Sequence, residues 1–162
     1  MAKLLERMLT IVAALSLVDV ENVRALFREY EQSLGVDLCF QGFDQEVASL
    51  PGAYAPPRGR LLIALDDAGE AAGCVALRPL GDEICEMKRL YVRPSARGKS
   101  AGRALATRVI EEARAAGYRT MRLDTLPMMR EAHALYESFG FRRVAPYYPN
   151  PVPGAIYMER CL

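Results

Sequence analysis

Histidine occurs once in the 162 residues and cysteine four times. No two cysteines stand at C-x-x-C spacing. Cys39, Cys74, Cys85, Cys161 and His133 are too few and too scattered for a zinc site, so no metal is expected. Reduced, buried thiols are the state implied by such usage. An excess of one charge is also lacking: 21 Lys and Arg stand against 20 Asp and Glu, for a formal net charge of +1. A chain so balanced is not expected to bind nucleic acid as its main task. Nor is there a long hydrophobic run. The apolar stretch within residues 1–17 is broken by Glu6 and Arg7 and falls short of the about 20 residues of a membrane span. No membrane partner is expected, and the chain is assigned to the cytoplasm. Low-complexity tracts and internal repeats are absent, and the length suits a single domain over residues 1–162.

What is present gathers in residues 86–105. From Glu86 to Val92 polar and apolar residues roughly alternate, the period of a half-buried strand, which Pro94 ends. From Ala101 onward Leu105, Ala106, Val109, Ile110 and Ala113 define one apolar face of a helix closed by Gly117. Between them lie Arg97, Gly98, Lys99, Ser100, Ala101, Gly102 and Arg103. Small residues there let a ligand approach the backbone, and the first amides of a helix point outward unpaired, which makes an anion site. Lys88, Arg89, Arg93, Arg97, Lys99 and Arg103 are basic, with no acidic residue between Met87 and Arg103. The run reads as a diphosphate cradle; the competing account is a solvated helix start. Spacing excludes two other glycine loops. A P-loop needs glycine where Arg93 stands, and Gly98 with Gly102 does not supply G-x-G-x-x-G.

Glu-Met-Lys-Arg-Leu-Tyr-Val-Arg-Pro followed by Arg-Gly-Lys-Ser-Ala-Gly-Arg-Ala-Leu resembles the acyl-CoA-binding segment of the GNAT superfamily of N-acetyltransferases, whose usual form is Arg/Gln-x-x-Gly-x-Gly/Ala. Arg97 and Gly102 match. Ser100 replaces the inner glycine, where it implies a strained backbone angle or a hydroxyl that meets a phosphate oxygen. Residues 20–34 and the segment Ala134-Leu-Tyr-Glu-Ser-Phe-Gly-Phe141 extend the resemblance over most of the chain.

In chain order the patterns predict a strand at residues 10–14, a helix at 20–34 capped by Asp19 and closed by Gly35, and a short helix near 45–49. Strands at 61–65 and 71–77 are joined by a glycine hairpin at 66–70 and lead to the strand with Glu86. After the loop helix come a strand at 120–125, a helix at 130–139, a strand at 141–144, a stiff proline-rich turn at 146–154 and a last strand at 155–161. The 120–125 strand follows a helical crossover and is therefore expected to run parallel to its predecessor, with a crevice where the two diverge. The fold class is α+β: a mixed, mostly antiparallel central sheet flanked by helices, with a splayed parallel strand pair, as the GNAT resemblance also implies.

Acyl transfer from a thioester to an amine requires a neutral nucleophile, a stabilised oxyanion and a proton for the departing thiolate. Glu86 is the candidate base, directly or through water; the competing account is that it pairs with a neighbouring cation such as Lys88 or Arg78. The resemblance implies that amides near Leu90, Tyr91 and Val92 hold the thioester oxygen and pantetheine arm, and that Tyr136 is the acid; ordinary burial of a helix aromatic competes for Tyr136. A Cys–His nucleophile built on His133 has no cysteine near it in sequence. Phe40, Phe43, Asp44, Glu46 and Tyr54, in a long segment between elements, are candidates for the acceptor wall, with Tyr147 and Tyr148 as flanking groups. Asp44 and Glu46 suit an ammonium; Arg130 and Arg143 suit a carboxylate. The expectation is an enzyme transferring acetyl from acetyl-CoA to a primary amine of a small or amino-acid-like acceptor in a ternary complex. A non-catalytic acyl-CoA sensor is the alternative, and a homodimer is left open.

Overall fold

The computed structural model describes residues 8–39, 42–98 and 100–162. They form a seven-stranded sheet in the order β1-β2-β3-β4-β5-β7-β6. The elements are β1 (Thr10–Ala13), α1 (Leu17–Leu34), α2 (Phe43–Ala48), β2 (Arg60–Leu65), β3 (Ala71–Pro79), β4 (Ile84–Val92), α3 (Ala101–Ala115), β5 (Thr120–Thr125), α4 (Arg130–Ser138), β6 (Arg142–Val144) and β7 (Ile156–Cys161). Every pairing is antiparallel except β4 with β5.

Alternation along β2 explains why the sheet is covered on both faces. Leu62 and Ala64 enter the core under α3, with Leu105, Val109 and Ile110, while Leu61 and Ile63 enter the core under α1 and α2, with Leu26, Phe27 and Val47. Helix α1 begins three residues earlier than the apolar period indicates. Ser16, not Asp19, is its cap: the Ser16 hydroxyl accepts from the Asp19 N–H at 3.1 Å. Gly35 ends it in the left-handed conformation, φ 63°.

Two features shape the centre of the sheet. Strands β4 and β5 are in register only at Ile84–Thr120, Cys85–Met121 and Glu86–Arg122, after which they part. Strand β4 also carries a bulge: Cys74 faces Tyr91 and Ala76 faces Lys88, so Arg89 and Leu90 together oppose Val75. Arg89 takes φ 58° there. Opposite Val92, Gly73 is obligatory, because a Cβ would lie 2.6 Å from the Tyr91 carbonyl oxygen.

Candidate active site

The gap between β4 and β5 opens into a crevice of about 730 Å³, walled by Leu90, Tyr91 and Val92 on one side and by Met129, Leu135 and Tyr136 on the other. The start of α3 stands at its mouth. Ala104 is the first residue to close a turn of that helix, on the Ser100 carbonyl at 2.9 Å, so the amides of Ala101, Gly102 and Arg103 have no partner within the helix. A Cβ at Gly102 would lie in ordinary van der Waals contact with Val92 and Leu135, 3.9 and 3.7 Å from their side chains. Ser100 has φ 58° and makes no side-chain cap, so the serine accepts the angle that the usual glycine would take freely. Arg97 lines the crevice, its Nε donating to the Val92 carbonyl at 3.0 Å and its guanidinium 6.0 Å from the Tyr91 ring centre. Gly98 also lines it, and Arg103 does so while donating to Ser138 at 3.1 Å. Lys99, and Phe40 of the acceptor set, lie outside the described residues, as do residues 1–7 of the N-terminal apolar stretch.

At its inner end the crevice meets a cavity of about 30 Å³, room for one or two waters, bordered by Lys88, Asp124, Thr125 and Leu126. Tyr30, Leu34, Leu90, Met129 and Tyr136 line both spaces. Tyr136 is therefore at the junction, and burial raises its phenol well above the usual range, so it stays protonated. Beside it a network of buried polar groups fills the α1 face of the sheet. Glu86, 0 % exposed, accepts from Arg78 at 2.7 Å and from the Tyr147 hydroxyl at 2.5 Å, with Lys88 at 4.0 Å. Asp124 accepts from the Tyr148 hydroxyl and from Lys88 at 3.5 Å. Burial lowers the Lys88 pKa, opposed by Asp124, and burial raises both tyrosines, reinforced by Glu86 for Tyr147 and Asp124 for Tyr148.

The structure separates the predicted site residues into two groups. Tyr136 and the described members of the loop set converge on the crevice. Glu86 is next to Tyr147, but it is not among the residues lining either cavity, and it is paired with Arg78. The acceptor wall needs correction. Phe43 and Tyr54 are 0 % and 2 % exposed and belong to the core under α1; Tyr54 packs edge-on to Phe27. Asp44 is exposed and bonded to Arg28. Glu46 holds Arg89 through both carboxylate oxygens, at 2.9 and 3.1 Å. His133 is bonded to the Leu126 carbonyl, not to a cysteine. Asp124 was missed, because a lone acid in an alternating strand carries no signal until the parallel crossover brings it opposite Lys88.

The chain belongs to the GNAT family of acetyltransferases: residues 10–141 match the Acetyltransferase (GNAT) family. It is thus an enzyme of the acyltransferase class, in a family whose acyl donor is an acyl-CoA. An uncharacterised N-acetyltransferase of Schizosaccharomyces pombe is 46% identical over 142 residues, 87% of each chain. N-acetylaspartate synthetase of Danio rerio is 34% identical over 67% of this chain and 39% of that longer relative. In fold, the crystal structure of a GNAT-family acetyltransferase from Staphylococcus aureus Mu50 superposes with a TM-score of 0.79 at 17% identity, covering 95% of this chain and 99% of the other. Among the described residues no helix is long and apolar enough to cross a membrane, and no group of acids, cysteines and histidine is arranged to hold a metal.

Proposed function

We propose that the protein transfers an acetyl group from acetyl-CoA to the primary amine of a small, amino-acid-like acceptor, by direct attack in a ternary complex. The observation that carries this is the junction at Tyr136, where a crevice with a helix start at its mouth meets a small polar cavity. The cradle of amides at Ala101, Gly102 and Arg103, with Arg97 and the Ser100 hydroxyl beside it, suits the diphosphate of coenzyme A. The edge of β4 from Leu90 to Val92, freed from β5, suits the pantetheine arm and supplies fixed amide donors for the thioester oxygen. The bound thioester supplies the activated acyl group.

The chain's own residues manage protons. Tyr136 gives its proton to the departing sulfur. Glu86 takes the proton of the amine through water or through the Tyr147 hydroxyl, since its carboxylate stands behind the cavity wall and not in it. The relative named N-acetylaspartate synthetase supports an amino-acid acceptor. Calorimetry with acetyl-CoA, followed by thiol release with a panel of amines, tests the reading: binding heat and amine-dependent thiol are expected. No binding heat, with Arg97→Glu changing nothing, would remove the donor site and the assignment with it.

A further inference from the structure

The face of the sheet that carries Glu86 holds a row of alternating charge across five strands. Register sets Arg78 of β3, Glu86 of β4, Arg122 of β5, Glu159 of β7 and Arg142 of β6 side by side, and residues opposite in register share a face. Arg78 pairs with Glu86 at 2.7 Å and Arg122 with Glu159 at 2.8 Å. Three guanidiniums thus stand against two carboxylates. Although they flank a carboxylate that is fully buried, the side chains of Arg78 and Arg122 are 35% and 30% exposed. Over them lies Tyr147, bonded to Glu86 and with its ring 5.3 Å from the Arg122 guanidinium. Two residues further along the strands, Lys88 and Asp124 border the small cavity and pair with each other, and Arg89 beside them is held by Glu46.

We infer that this row is an anion site for the acceptor: the acceptor amine also carries a carboxylate, which Arg78 and Arg122 receive on either side of Glu86. The inference rests on reading the crevice as the acyl-donor site and names the acceptor class for it. A guanidinium has five N–H donors. Among the described residues Arg122 engages Glu159 through Nε, and Arg78 engages Glu86 through Nε and one amino nitrogen. Both keep donors in the geometry that a carboxylate fills. Spacing agrees, because successive same-face rows are about 6.6 Å apart along a strand, a gap that a short amino acid and a long arginine side chain together bridge. A polyamine would bring further positive charge to a row already in positive excess, with no anion to offset it.

Amino acids tested against the same amines without their carboxylate decide the matter: serine with ethanolamine, lysine with cadaverine, tyrosine with tyramine. In at least one pair kcat/KM for acetyl-CoA-dependent thiol release should favour the carboxylate-bearing member by about 100-fold. Arg122→Gln should raise KM for that acceptor by roughly tenfold with the heat of acetyl-CoA binding unchanged. Arg122 is the first choice because its loss leaves the part-exposed Glu159 without its ion pair and the Tyr147 ring without its cation, whereas Arg78→Gln strips the buried Glu86 of its partner and risks the fold. Equal rates within every pair, acetyl-CoA binding without turnover of any amino acid, or an unmoved KM in Arg122→Gln each overturns the anion site. Absence of acetyl-CoA binding is a different result, which removes the donor site first.

Discussion

Ser100 shows how one side chain registers the difference between folding and binding. Its left-handed backbone costs a residue with a Cβ about 1–2 kcal/mol, part of which glycine would return as unfolded-state entropy. Ser100→Gly should therefore raise stability by about 0.5–1 kcal/mol, a rise in Tm of roughly 1–4 °C. If the hydroxyl meets a phosphate oxygen, the same variant should weaken acetyl-CoA binding; a calorimetric titration alongside the melt separates the two effects. Ser100 was legible in the sequence as a departure from the usual inner glycine, and its left-handed angle is one of the two outcomes that departure implied. For Glu86 the pairing with Arg78 was legible, but the bond from Tyr147 was not, because that tyrosine lies 61 residues away. The two proton-handling groups should separate by pH. Tyr136, its pKa raised by burial, remains protonated across about pH 6–9, so Tyr136→Phe should lower kcat by roughly 10- to 100-fold, evenly over that range. Glu86→Gln should lower the rate most at low pH, where the acceptor amine is protonated and needs a base. An even loss in Glu86→Gln would remove Glu86 from the mechanism.

At the scale of elements, α2 and the β4 bulge form a single device. The long segment before β2 looked like an acceptor wall because its aromatics and acids had no visible purpose within the sequence. The purpose is tertiary. Arg89, turned inward by the bulge and 5 % exposed, needs a counter-charge, which Glu46 supplies from α2, while its guanidinium lies 5.0 Å from the Phe43 ring. Removing one partner of such a pair leaves the other charge buried and costs about 3–5 kcal/mol. Gln keeps a hydrogen bond, so Glu46→Gln should fall near the lower end, about 3 kcal/mol, lowering Tm by roughly 6–12 °C. Because the bulge aims Leu90 and Val92 at the crevice, acetyl-CoA affinity should fall as well. A variant with wild-type Tm would show that Arg89 finds another partner and that α2 does not hold the bulge.

Across the whole molecule, strands and helices were legible wherever period and punctuation agreed, as for β5, α3 and the hairpin at Gly69. Local pattern does not encode the insertion of β7 between β5 and β6, which sets Glu159 beside Arg122. That arrangement has a kinetic consequence. The crevice runs past the starts of α3 and α4 and shares Tyr30, Leu34, Leu90, Met129 and Tyr136 with the polar cavity, so a donor in the crevice and an acceptor at the cavity meet at the junction and can be bound together. A relay through a covalent acyl-enzyme would need a thiolate at the junction, and no cysteine lines either cavity. Cys74 and Cys85 are buried, with burial raising both thiols, Cys85 to about 12, and hydrogen bonding to Asp37 holds exposed Cys39 at about 11. Each is far from the low values of nucleophilic cysteines. Initial-rate measurements should therefore give intersecting double-reciprocal lines when acetyl-CoA and amine are both varied, and Cys85→Ser should retain turnover. Parallel lines, with a mass increase of one acetyl group on the protein in the absence of amine, would replace direct attack with a two-step route and require a nucleophile that the junction does not contain.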